Sequence, residues 1–219
     1  MNLEHPILLK GTYVPLFFLI IAVTFGSTSC SSIVQGIYGV KNPKELDDRT
    51  IIRYSEKYNI PIQDNYKLDT SYLGYLASFD TAIFKEQLKN HFQPLQALYY
   101  DKTGQLESFQ INCYTGGFPN LKWDRDSILT VFPPLGQAPV DNIVPLGVQL
   151  EYLLAFPHTN SFLVENFDYV VVVYWNRYMG RQSRRLIDFV QKNQKLSGDK
   201  KVKVIYVNTD GVFAKAMSE

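Results

Sequence analysis

The sequence predicts an α/β fold behind a mostly helical N-terminal region, and three stretches carry that expectation. Tyr169–Trp175 is a continuous apolar run, the pattern of a strand buried on both faces, as in parallel sheets. Residues 183–192 have the apolar spacing of an amphipathic helix, and Val202–Asn208 reads as a second strand. Together they make a βαβ crossover, right-handed by default. Upstream, 95–100 and 105–113 flank the turn Asp101-Lys102-Thr103-Gly104 and read as a hairpin.

From the N-terminus, Lys10 lies in a polar leader and 14–25 is an apolar run. About 12 residues make a helix near 18 Å, short of a ~30 Å hydrocarbon core. This is the h-region of a signal peptide, expected over 1–29. Gly26-Ser27-Thr28-Ser29 then leads into Cys30. The segment 27–30 resembles the looser lipobox of Bacteroidetes-type lipoproteins, with Ser27 in place of the usual aliphatic residue. That resemblance implies a mature chain beginning at Cys30, acylated on its sulfur and amine and held on a membrane. Secretory cleavage leaving Cys30 as a thiol, or an uncleaved anchor, are the alternatives. Residues 31–36 contain no acidic cluster, so the expected location is the bacterial cell envelope, on the outer membrane facing the periplasm.

A formal net charge of +1 argues against a general nucleic-acid binder. Cys30 and Cys113 are the two cysteines, so a lipidated Cys30 leaves no intramolecular disulfide. The histidines are His5, His91 and His158, and no zinc-type spacing occurs. No metal or cofactor is expected.

Residues 30–42 read as a tether and 43–94 as a mostly helical region. Pro43 is expected to open a helix, with Glu45, Asp47 and Asp48 near its N-terminus, Ile51, Ile52, either Tyr54 or Ser55, and Tyr58 on its buried stripe, and Pro61 as its end. The tyrosine-rich 62–77 is ambiguous. Asp80 reads as the cap of a helix carrying Phe84 and Leu88, and Pro94 breaks the chain.

In the second hairpin strand, Leu106, Ser108, Gln110 and Asn112 should share one face. Glu107, Phe109, Ile111 and Cys113 should share the other, which points Cys113 into the core. Gly116 and Gly117 break the strand, and a loop with five prolines runs to Pro145. A helix is expected over 146–156, with Leu146, Leu150, Leu153 and Leu154 on one side, and a short one over 212–217, capped from 208–211.

The βαβ unit resembles the thioredoxin-like superfamily over about 45 residues, 167–211. There an apolar strand ends in an aromatic pair, here Tyr174-Trp175, and a loop carries two cysteines into a helix. Met179 and Gln182 stand at the two cysteine positions, with Gly180 between them. The resemblance implies a thioredoxin-like three-layer α/β sandwich over 95–219, incomplete or rearranged. No thiolate is present for disulfide exchange. The hairpin and helix that usually follow the second strand do not follow it here, and hairpin 95–113 is expected to take their place.

Arg177, Arg181, Arg184 and Arg185 surround the start of the helix, where free amides and the dipole favour anions. Arg177, Arg181 and Arg184 are the candidate anion-binding set; a solvated basic face is the plainer reading, since Arg184 and Arg185 diverge on a helix. Cys113 is the candidate nucleophile of an alternative thiol hydrolase or peroxidase, but Asn112 and Tyr114 supply no charge to activate it. Phe118, Trp123 and Phe132 make either a contact patch or, as favoured here, a loop folded onto its own sheet; beside Trp123 lie Asp124, Arg125 and Asp126. His158 reads as a turn residue. The expected protein is a lipid-anchored envelope lipoprotein whose redox-inactive domain binds or scaffolds. Its partners are the membrane, through Cys30, and an envelope protein.

Overall fold

The computed structural model describes residues 40–114, 118–119, 123 and 129–218. The leader, Cys30, the pair Gly116 and Gly117, and Asp124, Arg125 and Asp126 lie outside the described residues.

Helix α1 spans Asp48–Lys57. Its start is set by Asp47, whose carboxylate accepts the Thr50 amide at 2.6 Å. The helix thus begins five residues after Pro43, correcting the expected opening. The chain is already fixed before it, because the Lys41 amide donates to the Tyr178 carbonyl at 2.7 Å. The ambiguous stretch 62–77 resolves into a 3₁₀ turn, strand β1 (Asn65–Leu68) and helix α2 (Tyr72–Ala77). Helix α3 (Thr81–His91) starts at Asp80, which accepts the Ala82 amide at 2.7 Å.

Strands β2 (Gln96–Asp101) and β3 (Leu106–Ile111) form the expected hairpin. Gly104 takes φ 81° in its turn, and Asp101 accepts the Thr103 and Gln105 amides. Tyr99 faces Ser108, but Tyr100 faces Leu106, so one residue of β3 is extra. This bulge carries Leu106 into the same core as Phe109 and Ile111, against strict alternation. Ser108 and Gln110 face the other way and donate to the Pro134 and Leu135 carbonyls. Cys113 lies in β4 (Cys113–Tyr114), paired with β5 (Phe118–Pro119), and the direction of its side chain is outside the described part.

Helix α4 (Leu146–Glu151) is shorter than the expected 146–156. The chain turns into β6 (Leu153–Ala155), which pairs antiparallel with β1 and satisfies its open edge. Leu146 is buried while Leu154 is 42 % exposed, so the leucine row is split between core and edge. Strand β7 (Tyr169–Trp175), helix α5 (Gly180–Gln194), strand β8 (Val202–Asn208) and helix α6 (Asp210–Ala216) complete the chain.

The main sheet has six strands in the order β3-β2-β7-β8-β1-β6. β7, β8 and β1 run parallel, and β2 is antiparallel to β7. The hairpin therefore joins the βαβ unit along β7, with Ala97 opposite Val173 and Tyr99 opposite Val171. Alternate residues of the central strands supply two separate cores. Val171, Val173, Trp175, Val204 and Tyr206 pack with Ile51 of α1 and Leu186, Ile187 and Val190 of α5. Val170, Val172, Tyr174, Ile205 and Val207 pack with Tyr72, Leu76, Leu88 and Leu146 of α2, α3 and α4. The arrangement is a mixed α/β fold with six α-helices among the described residues. No helix among them is long and apolar enough to cross a membrane.

The end of the proline-rich stretch is fastened to the sheet. Tyr100 donates to the Val144 carbonyl at 2.9 Å, and Tyr75 to the Ile143 carbonyl at 2.6 Å. His91 Nε2 lies 3.0 Å from Asp141. Trp123 is buried, and Phe132 packs on Tyr99 and Tyr169, so these aromatics fold onto the sheet. The side chain of Phe118 lies outside the described part.

Leu186 is fully buried between α5 and the sheet, whereas Leu196 is 47 % exposed. Leu186→Ala should lower unfolding stability by about 2–5 kcal/mol. Leu196→Ala should change it by less than about 0.5 kcal/mol in the same urea titration.

Candidate functional site: a basic cleft at the start of helix α5

The parallel strands β7 and β8 end side by side, and the segment leaving β7 is held by buried polar groups. Asp210, just after β8, accepts the Arg177 amide at 2.7 Å and the Tyr178 amide at 3.3 Å. Asn208 Nδ2 donates to the same carboxylate at 2.9 Å. Asn176 Oδ1 accepts the Met179 amide at 2.8 Å, and its Nδ2 donates to the Pro94 carbonyl and Thr209 Oγ1. Ser183 Oγ donates back to the Asn176 carbonyl at 2.7 Å. Residues 176–178 are thus held by side chains from α5 and α6, and Met179 by the side chain of Asn176 itself.

Burial raises the Asp210 carboxyl above the ordinary carboxylate value; the amide donors pull the other way without cancelling it. The amides of Gly180, Gln182 and Ser183 are bonded back to the carbonyls of Arg177 and Met179. The helix N-terminus is therefore largely satisfied internally, in contrast to the expected free amides. Positive charge at this end comes from side chains instead.

Those side chains line an open cleft of about 500 Å³ between the N-terminal turn of α5 and the C-terminal turn of α1. Arg177, Arg181, Arg184 and Arg185 line it together with Lys57 of α1 and with Lys41, which is tied to the Tyr178 carbonyl. Among the described residues, Asp188 is the only carboxylate in the lining. Among the described residues, no ion pair engages Lys57, Arg177 or Arg184. Tyr54 and Tyr58 form the floor. The Tyr54 ring has Arg53, Lys57 and Arg177 within 5.8–6.0 Å of its centroid, a concentration of cation–π contacts.

Tyr58 sits edge-on to Trp175 at 5.7 Å and is largely buried. Burial, with Tyr54 and Asp210 nearby, pushes its phenol up to about 12, so it offers a neutral hydroxyl at physiological pH. Its hydroxyl lies where a β-carbon on residue 180 would stand. Gly180 is therefore the residue that lets α1 and α5 close on each other.

The structure thus brings Arg177, Arg181 and Arg184 to one cleft. Arg184 and Arg185 diverge by one helical step, yet both flank the direction of Arg181. Residues 181, 184, 185 and 188 follow the i, i+3, i+4, i+7 spacing of a single helix face. That spacing was available in the sequence as the signal for Arg185 and Asp188. Lys41, Lys57, Tyr54 and Tyr58 come from a distant segment and carried no such signal. Met179 and Gln182 do not line the cleft. Met179 is 5 % exposed and packs in the core, and Gln182 is fully buried.

His158 is exposed in its turn. Among the described residues, no group of three or more His, Cys, Asp or Glu side chains is placed to hold a metal ion. Comparison with known proteins finds no matching family model, no similar curated protein and no similar solved structure.

Two measurements test this geometry. Asp210→Ala would strand three donors and should cost about 2–4 kcal/mol in chemical denaturation. Lys85→Ala, exposed on α3, should cost less than about 0.5 kcal/mol. In a carbon-13 NMR titration the Asp210 carboxyl should titrate above 3.8. Below 3.8 both the folded and unfolded chains carry the proton and the stability contribution is full. It declines as pH rises through the folded midpoint, because ionisation is harder in the native state.

Proposed function

We propose that this protein is an envelope lipoprotein, acylated at Cys30, whose thioredoxin-like domain is redox-inactive and binds an anionic group in the basic cleft. One observation carries the binding role: among the described residues, six basic residues line one cleft against a single carboxylate, in a chain whose net charge is only +1. Among the described residues no ion pair engages Lys57, Arg177 or Arg184, and an anion between them would offset their mutual repulsion. Guanidinium groups suit phosphates and carboxylates, which they grip with two parallel hydrogen bonds.

The thioredoxin-like reading draws on the order of strands. A parallel βαβ unit is flanked on one side by an antiparallel hairpin and on the other by a third parallel strand. The hairpin precedes the βαβ unit in sequence where the usual order places it after. On this reading Met179 and Gln182 occupy the redox positions, a thioether and an amide sealed inside the fold. The loop that would hold reactive thiols has become the support of Arg177, and chemistry has given way to binding.

The lipoprotein reading rests on the leader and on the segment 27–30. The expected partners remain the membrane and an envelope protein, on the periplasmic side of the outer membrane.

Two experiments address the two halves of the proposal. Intact mass of membrane-extracted protein should equal the chain from Cys30 plus acyl groups, and Cys30→Ser should abolish that species. Pyrophosphate at ten times its Kd should raise Tm by about 3–5 °C. Arg181→Ala/Arg184→Ala should remove most of the shift. An unshifted Tm with pyrophosphate, and likewise with citrate, would rule out the anion site.

A further inference from the structure

We infer that the cleft binds the phosphate of anionic phospholipid headgroups, so that the anchored domain lies with this face against its own membrane. The inference rests on the lipoprotein and anion-binding readings above and adds the identity of the occupant.

The first observation is where the chain enters the domain. Lys41 is hydrogen-bonded through its amide to the Tyr178 carbonyl, and it also lines the cleft. The described chain therefore begins at the rim of the basic cleft, one residue before Lys41. The second is length. Only residues 31–40 separate Cys30 from Lys41. Fully extended, that stretch reaches at most about 40 Å. An acyl group on Cys30 thus keeps the cleft within that distance of the bilayer, and any shorter path brings it closer.

The third is charge. Attraction to an anionic surface decays within a Debye length, about 8–10 Å in physiological salt, and grows with each basic residue brought that close. Arg181, Arg184 and Arg185 are exposed along one helix face, and Lys41 and Lys57 are exposed in the same lining. The fourth is the floor of the cleft. Tyrosine rings with polar tips suit the headgroup region, and the neutral Tyr58 hydroxyl can donate to a phosphate oxygen.

The described unit holds the whole sheet and both cores, so a chain beginning at Ser31 keeps the fold while lacking Cys30 and the leader. Its sedimentation with vesicles tests the inference without an acyl chain. Adsorption is expected on phosphatidylcholine vesicles containing phosphatidylglycerol, not on phosphatidylcholine alone, and should fall as salt rises. Each basic residue near such a surface strengthens binding about fivefold, so Arg181→Glu/Arg184→Glu should weaken it by ~25-fold or more. Asp188→Asn should strengthen it, a gain that misfolding would not produce.

Equal adsorption on both vesicles, or none, would overturn the inference. Glycerol phosphate is the second arm, tested by its effect on Tm without vesicles. A Tm rise with no preference for phosphatidylglycerol would assign the cleft to soluble phosphate esters, overturning the headgroup while leaving the anion site intact. No response in either arm would remove both. The mass of Cys30 reports separately on the anchor.

Discussion

The Asp210 carboxylate accepts the amides of Arg177 and Tyr178 at the point where the chain leaves β7, and the geometry of this end of the molecule depends on it. A carboxylate in a largely buried site is costly unless its oxygens are occupied. Here two backbone amides and Asn208 occupy them. The loop is thereby fixed in the one shape that sends Arg177 towards Tyr54 and aims α5 along the sheet. Asn176 repeats the device one residue earlier, joining Pro94, Thr209 and Met179. The cleft is a consequence of these bonds rather than of the helix end itself.

Behind this support lies a sheet whose central strand has no exposed face and no open edge. β7 is paired with β2 on one side and β8 on the other, and its side chains alternate between two cores. A strand in that position can hardly shift register, because a one-residue slip would exchange Val171 and Val173 with Val170 and Val172 and disturb both cores at once. Rigidity at β7 passes directly to residue 176. The rim above that fixed base is made of long, exposed side chains, Arg181, Arg184 and Arg185.

Much of the fold was legible because its strongest signals are local. The apolar run of β7, the cap Asp80 and the turn at Gly104 each follow from residues within a few positions of one another, whereas Pro43 drew the start of α1 away from its cap at Asp47. β1 was not legible, since Asn65–Leu68 is short and becomes a strand through pairing with β8, well over a hundred residues away. The same holds for Leu153 and Leu154, whose helical spacing yields to the need to pair an open edge. At the site, the arginines were visible as a cluster, but their meaning lay in the helix face shared by 181, 184, 185 and 188. Lys41 and Lys57 could not be found, because only the folded chain brings α1 against α5. Gly180 was read as a family trait, and its physical role is the space it leaves for the Tyr58 hydroxyl.

The position of the hairpin also orders events in time. Synthesis runs from the N-terminus, so β2 and β3 are complete well before β7 leaves the ribosome. They can close on each other through a short turn within microseconds. One edge of β2 must then wait some seventy residues for its partner. An unpaired edge of Leu98, Tyr99 and Tyr100 invites pairing with other chains. A nascent chain of this order has reason to be shielded or kept unfolded until its second half has emerged.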